Sequence, residues 1–217
     1  MKLSRALVSA AVMASTPSMA MEVRVGGVPV AELGSQGWTR VDANTLKLEA
    51  PGGYTYTLVE GDAALHARVK ALREKASTLS KGEREELAFL TESVSATATT
   101  LSESVDHCHG VLDFEPQFYY GATFGFVQMS VTWTEPTPYT SGTKRIVAYV
   151  EASAPGLTTQ YDAYNSGWFQ GKSPKTVTAT TAIEQTSSPT LKAMGSFLVG
   201  GSHHCTSYYV TIDGPGY

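Results

Sequence analysis

The sequence predicts an α+β protein in which a small N-terminal β-hairpin segment and a helical hairpin precede an antiparallel β-sandwich. Three observations carry the prediction. Apolar residues recur at helical spacing between residues 62 and 101, they recur at every second position from about His107 onward, and charge thins out near residue 105 as Thr, Ser, Tyr and Val become abundant. The chain therefore divides into a leader (1–20), an N-terminal strand-rich segment with the helical hairpin (21–105), and a sandwich domain (106–217), for which an immunoglobulin-like topology is one arrangement.

The leader begins with Lys2 and Arg5, continues through an apolar stretch from Ala6 to Ala14 and ends at Ser18-Met19-Ala20, a small-x-small cleavage pattern. These features are those of a secretory signal peptide, so the protein is expected to be exported, to the periplasm or to the extracellular side. No later apolar run approaches the roughly 18 residues of a membrane helix, so no stable membrane insertion is expected.

The hairpin is expected across Pro51-Gly52-Gly53, where Leu46 and Leu48 on one side and Tyr54, Tyr56 and Leu58 on the other alternate with polar residues. A first helix follows from the stripe Leu65, Val69, Leu72, Ala76 and Leu79, with Asp62 placed to cap it. A second starts at Ser80, which has capping-box spacing to Glu83, and carries Leu87, Leu90, Val94 and Leu101 on its apolar face. The two are expected to pack on the preceding hairpin. Their charges, Arg68, Lys70, Arg73, Lys75 and Arg84 against Glu74, Glu83, Glu85 and Glu86, balance as a solvated face would.

About seven strands are expected beyond residue 106, with Val127, Met129, Val131 and Trp133 on one face of the clearest. Ile146, Ala148 and Val150, then Val177, Ala179, Thr181 and Ile183, then Tyr208, Val210 and Ile212 repeat that period. Turn signals such as Ala154-Pro155-Gly156, Asn165-Ser166-Gly167 and Gly200-Gly201 separate them.

Composition narrows the function. With 42% apolar and 17% charged residues the chain can bury a core, and with 16 Lys and Arg against 20 Asp and Glu and no basic run it lacks the footprint of a nucleic-acid binder. Cys108 and Cys205 are the two cysteines, and in an exported chain they are expected to pair. The chain-entropy model assigns such a loop roughly 4 to 5 kcal/mol before native strain is counted.

A disulfide would bring Asp106-His107-Cys108-His109 beside His203-His204-Cys205, so His107, His109 and His204 are candidate ligands for zinc or copper. No Gly-x-Ser-x-Gly elbow or His-Glu-x-x-His motif is present. Carboxylate pairs for glycoside hydrolysis can be drawn from Asp113, Glu115, Glu135, Glu151 and Asp162.

Aromatic residues form the remaining signal. Phe114, Phe118, Tyr119, Tyr120, Phe124 and Phe126 are dense, and Tyr161, Tyr164, Trp168 and Phe169 flank the expected turn at Asn165, where exposed rings would stack on a sugar or anchor a protein. The leading expectation is a non-enzymatic binding module for a protein or glycan surface. The alternative is a metal-binding protein or metal-dependent enzyme built on the histidine cluster.

Overall fold

The computed structural model describes residues 21–30, 32, 37–75, 77–97, 110–121, 124–134, 144–154, 161–169, 175–184, 189–199 and 206–215, with the backbone alone at 28, 93–97 and 161–169. The N-terminal half contains β1 (Glu22–Val25), β2 (Val28–Pro29), β3 (Thr39–Asp42), β4 (Thr45–Ala50) and β5 (Tyr54–Glu60), then helices α1 (Asp62–Glu74) and α2 (Lys81–Thr97). Seven strands follow: β6 (Val111–Tyr120), β7 (Phe124–Thr134), β8 (Lys144–Ser153), β9 (Tyr161–Phe169), β10 (Lys175–Glu184), β11 (Thr190–Val199) and β12 (Tyr208–Asp213). The fold is mostly β, with two sheets packed together and two helices, as a sandwich-like α+β reading requires.

The five-stranded sheet runs β10-β7-β6-β1-β2 and the seven-stranded sheet β3-β4-β5-β12-β11-β8-β9. Both draw strands from either side of residue 105: β1 pairs with β6, and β5 pairs with β12. The β1–β6 pair is parallel, an exception to an all-antiparallel sandwich, which the long intervening excursion of chain permits. Pro116 is accommodated in β6 because β1 stops at Val25, opposite Phe114, leaving no neighbour there to need its amide. The β4–β5 hairpin has the expected register, Leu46 opposite Leu58 and Leu48 opposite Tyr56, and Gly52 and Gly53 take the positive φ of 84° and 83° that its turn needs.

The core lies between the sheets. Leu112 and Phe114 from β6 and Met129, Val131 and Trp133 from β7 meet Ile146, Ala148 and Val150 from β8 and Phe197 from β11, all fully buried. Gly195 lets the sheets approach, since a Cβ there would lie 2.6 Å from the Phe114 ring and 2.7 Å from Met129 Cε.

The helices cover the opposite face of the seven-stranded sheet and form a third layer. Leu65, Val69, Leu72, Leu79 and Leu90 pack on Val147 of β8 and Leu198 of β11, while Ala64 joins Tyr149, Met194 and Tyr209. The hairpin thus rests on the central strands of that sheet as well as on β5. Burial on both faces explains why Lys144–Val150 is continuously buried, whereas period two marks only one of its faces.

Several local expectations change. Gly61, with φ 70°, occupies the cap of α1 without a side-chain bond, and Asp62 stands one position later, in the first turn, where its charge suits the helix dipole. The helix ends at Glu74, so Leu79 reaches the same apolar cluster from the connection. The capping box of α2 forms: Ser80 N–H donates to Glu83 Oε2 at 2.8 Å and Glu83 N–H to Ser80 Oγ at 3.3 Å. The helix charges are not all solvated, because Arg68, Glu83 and Glu86 are buried.

Candidate functional site

Strand parity builds two distinct surfaces on β6 and β7. Along β7, Gly125, Val127, Met129, Val131 and Trp133 point inward, so Phe124, Phe126, Gln128, Ser130 and Thr132 point away from the core. Register then sets outward residues of β6, β7 and β10 into rows: Tyr119, Phe126 and Ala182; Gln117, Gln128 and Thr180; Glu115, Ser130 and Thr178; Asp113, Thr132 and Thr176. The face grades from rings through amides to carboxylates. From Tyr119 to Asp113 it extends about 20 Å at the strand rise.

The polar rows are ordered by side-chain bonds. Ser130 Oγ and Thr178 Oγ1 lie 3.0 Å apart, Thr132 Oγ1 and Thr176 Oγ1 also 3.0 Å, and Thr180 Oγ1 donates to Gln128 Oε1 at 3.2 Å. At the other end Tyr119 and Phe124 stack with centroids 5.0 Å apart and planes 33° from parallel. Among the described residues these two rings and Val41 are the large apolar side chains left exposed, Tyr119 at 50% and Phe124 at 43%. Gly121 supports the platform: a Cβ there would fall 2.5 Å from Tyr119 Cε1, and its N–H donates to the Phe124 carbonyl at 3.0 Å.

The carboxylate end is electrostatically loaded. Burial pushes the Asp113 carboxyl above the usual range and neighbouring Glu115 raises it further, against the opposing pull of Arg24 and a hydrogen bond from Gly27 N–H. Arg24 Nε is itself held by Glu22 Oε1 at 2.6 Å. Asp113 and Glu115 stand two positions apart on the same outward face of β6, and Asp113 Oδ1 is buried without a hydrogen-bond partner among the described residues.

A second polar cluster lies under the helices. Arg68 and Glu86 form a buried bidentate pair, and Arg68 sits 5.9 Å from the ring centroids of both Tyr149 and Tyr209. Lys75 Nζ donates to Glu83 Oε1 at 3.0 Å and to Tyr149 OH at 2.5 Å, and that hydroxyl donates to Glu151 Oε1 at 2.6 Å. Arg145 Nη2 adds a bond to Gly82 O at 3.1 Å. The arrangement ties α1, α2 and β8 together, and Glu151 is thereby committed to Tyr149.

The predicted residues fall elsewhere. Tyr161, Tyr164, Trp168 and Phe169 lie on β9, which runs unbroken through Asn165-Ser166-Gly167, so the expected turn is a strand. Pairing to β8 supplies the reason: its register continues from Ala152 opposite Tyr161 to Lys144 opposite Phe169, with Tyr164 opposite Tyr149 and Trp168 opposite Arg145. His107, Cys108, His109, His204 and Cys205 lie outside the described residues, as does the leader. Among the described residues no group of His, Cys, Asp and Glu is arranged to hold a metal ion, and no helix is long and apolar enough to cross a membrane. Of the dense aromatic run, Phe114 belongs to the core and Phe118 and Tyr120 pack against it, leaving the exposed Tyr119 and Phe124 and the half-buried Phe126 on the outward face. Parity alone separates Tyr119 from its neighbours, and the alternation Phe114, Phe118, Tyr120 against Glu115, Gln117, Tyr119 is the signal that finds it.

No family model, curated protein or solved structure matches this chain.

Proposed function

We propose that this protein is an exported, non-enzymatic recognition module that binds a protein or glycan surface on the outward face of its five-stranded sheet. The observation that carries the reading is the exposed Tyr119 and Phe124 pair, stacked at the head of ordered amide and hydroxyl rows. Two rigid rings supply contact area at low entropy cost, and the rows beside them supply directional hydrogen bonds. Screening the native protein against immobilised glycans and surface proteins, alongside a Tyr119→Ala/Phe124→Ala variant, tests it. Ligands lost with the rings support the reading, and ligands retained at full affinity overturn it. The Tyr161, Tyr164, Trp168 and Phe169 segment is a second proposed contact, tested by the same screen with Tyr164→Ala/Trp168→Ala.

A metal-binding reading is favoured by one observation. Gly110, which follows His109, lies against Trp133; Trp133 stacks on Phe197 at 4.9 Å; and Phe197 pairs with Tyr208, three residues after Cys205. The described residues flanking both Cys segments thus sit at one end of the sandwich. In this reading Cys108 and Cys205 pair, and His107, His109 and His204 take zinc or copper. Metal content of the oxidised protein, compared with a His107→Ala/His109→Ala variant, tests it: stoichiometric metal lost in the variant supports the site, and no retained metal removes it.

A further inference from the structure

The outward face of the five-stranded sheet has a charge as well as a shape. Among its described outward residues on β1, β6, β7 and β10 stand four carboxylates, Glu22, Asp113, Glu115 and Glu184, and one guanidinium, Arg24, which Glu22 already holds. An anionic partner would meet repulsion at the Asp113 and Glu115 end of β6. A cationic one would relieve the repulsion between Asp113 and Glu115, whose proximity already lifts the Asp113 carboxyl.

From this charge and the ring platform we infer that the face binds a linear glycan bearing free amino groups. A sugar ring lies on Tyr119 and Phe124, the chain runs along β6 and β7, and its ammonium groups meet Asp113 and Glu115. The inference rests on the recognition reading above and names its ligand. A saccharide offers, within one chain, a C–H face for the rings, hydroxyls for the Gln128, Ser130 and Thr178 rows, and amines for the carboxylates. A basic peptide offers the amines but lacks hydroxyls at regular spacing. The paired rings, tilted 33° to each other, continue into strand rows that extend about 20 Å, a length matched by a polymer rather than by a single inserted side chain.

Titration calorimetry of the full protein with a glucosamine oligosaccharide, its fully N-acetylated counterpart and a lysine oligopeptide tests the inference. The amine-bearing sugar is expected to bind about tenfold or more tighter than the acetylated one. Asp113→Asn/Glu115→Gln is expected to erase that difference, while Tyr119→Ala/Phe124→Ala weakens both sugars; Glu115, Tyr119 and Phe124 are exposed and Asp113 is half-buried, and circular dichroism verifies the folds. Equal binding of the two sugars, or undiminished preference in the carboxamide variant, overturns the amine specificity. Separately, sugar binding that survives loss of the rings overturns the recognition reading itself. Lysine peptide binding as tight as that of the amino sugar overturns the choice of a glycan.

Discussion

Arg68 and Glu86 meet across the two helices through paired hydrogen bonds, Nε to Oε1 at 2.9 Å and Nη2 to Oε2 at 3.0 Å, with side chains only 3% and 0% exposed. Forked geometry and flanking tyrosine rings satisfy the guanidinium where water does not reach. Removing one partner strands the other charge. Arg68→Ala is expected to lower stability by about 3–5 kcal/mol, whereas Arg68→Met/Glu86→Leu recovers most of that loss. Urea denaturation of the single and double variants measures both.

Glu83 makes stability sensitive to acid. Burial raises its carboxyl, but the Ser80 N–H, the Lys75 ammonium and the Ser80 hydroxyl outweigh that effect and hold it below the usual range. A depressed folded value stabilises the protein above the unfolded carboxylate pKa of about 4.3, and the contribution is lost as pH falls through the folded value. Denaturation midpoints of native protein and Glu83→Gln are therefore expected to differ near neutrality and to converge in acid.

Asp113 has the opposite sign. Burial first and Glu115 second push its carboxyl upward, so ionising it costs the folded state more than the unfolded chain. Stability then declines as pH rises from the unfolded carboxylate value through the raised folded one. Asp113→Asn is expected to be more stable than the native protein at neutral pH and to lose that advantage in acid, as thermal melts across pH would record.

Gly195 marks a close approach of one sheet to the other. Ala there must displace Phe114, Met129 or Val131 from a packed core, with an expected loss of about 1–3 kcal/mol. Equilibrium unfolding reads the loss, and an unchanged midpoint would mean that the sheets can part without cost.

Gly121→Ala separates the platform from the fold. Gly121 lies at the exposed end of the sheet with no positive φ to forbid Ala, yet a Cβ collides with the Tyr119 ring. The expected result is a change within about 0.5 kcal/mol in stability. Tyr119 is expected to shift, visible in aromatic nuclear magnetic resonance signals, and ligand binding to weaken as in Tyr119→Ala.

Much of the framework was legible in local pattern. The β4–β5 hairpin, the capping box at Ser80 and Glu83, and the alternating faces of β7 and β10 each arise from neighbours within a few positions. Three features were not. Charge balance on α1 and α2 looks the same whether Arg68 and Glu86 face water or each other, and only the sheet beneath them excludes the water. Leu65, Val69 and Leu72 make a stripe equally suited to a partner molecule, and their burial on β8 and β11 within the same chain opposes the idea of an assembly interface there. Asn165-Ser166-Gly167 has turn composition, but antiparallel pairing with β8 holds it extended.

The candidate site divides in the same way. Sequence by itself determined which side chains of β6 and β7 share a face, because the strand period is two and needs no knowledge of neighbours. Tertiary structure alone decided which face meets the second sheet, and therefore that Phe114 is core while Tyr119 and Phe124 are exposed. It also set Glu115, Ser130 and Thr178 in one row across three strands, 63 residues of chain apart at the extremes. Periodicity is a property of the local backbone, whereas the identity of the wet face depends on what the rest of the chain covers.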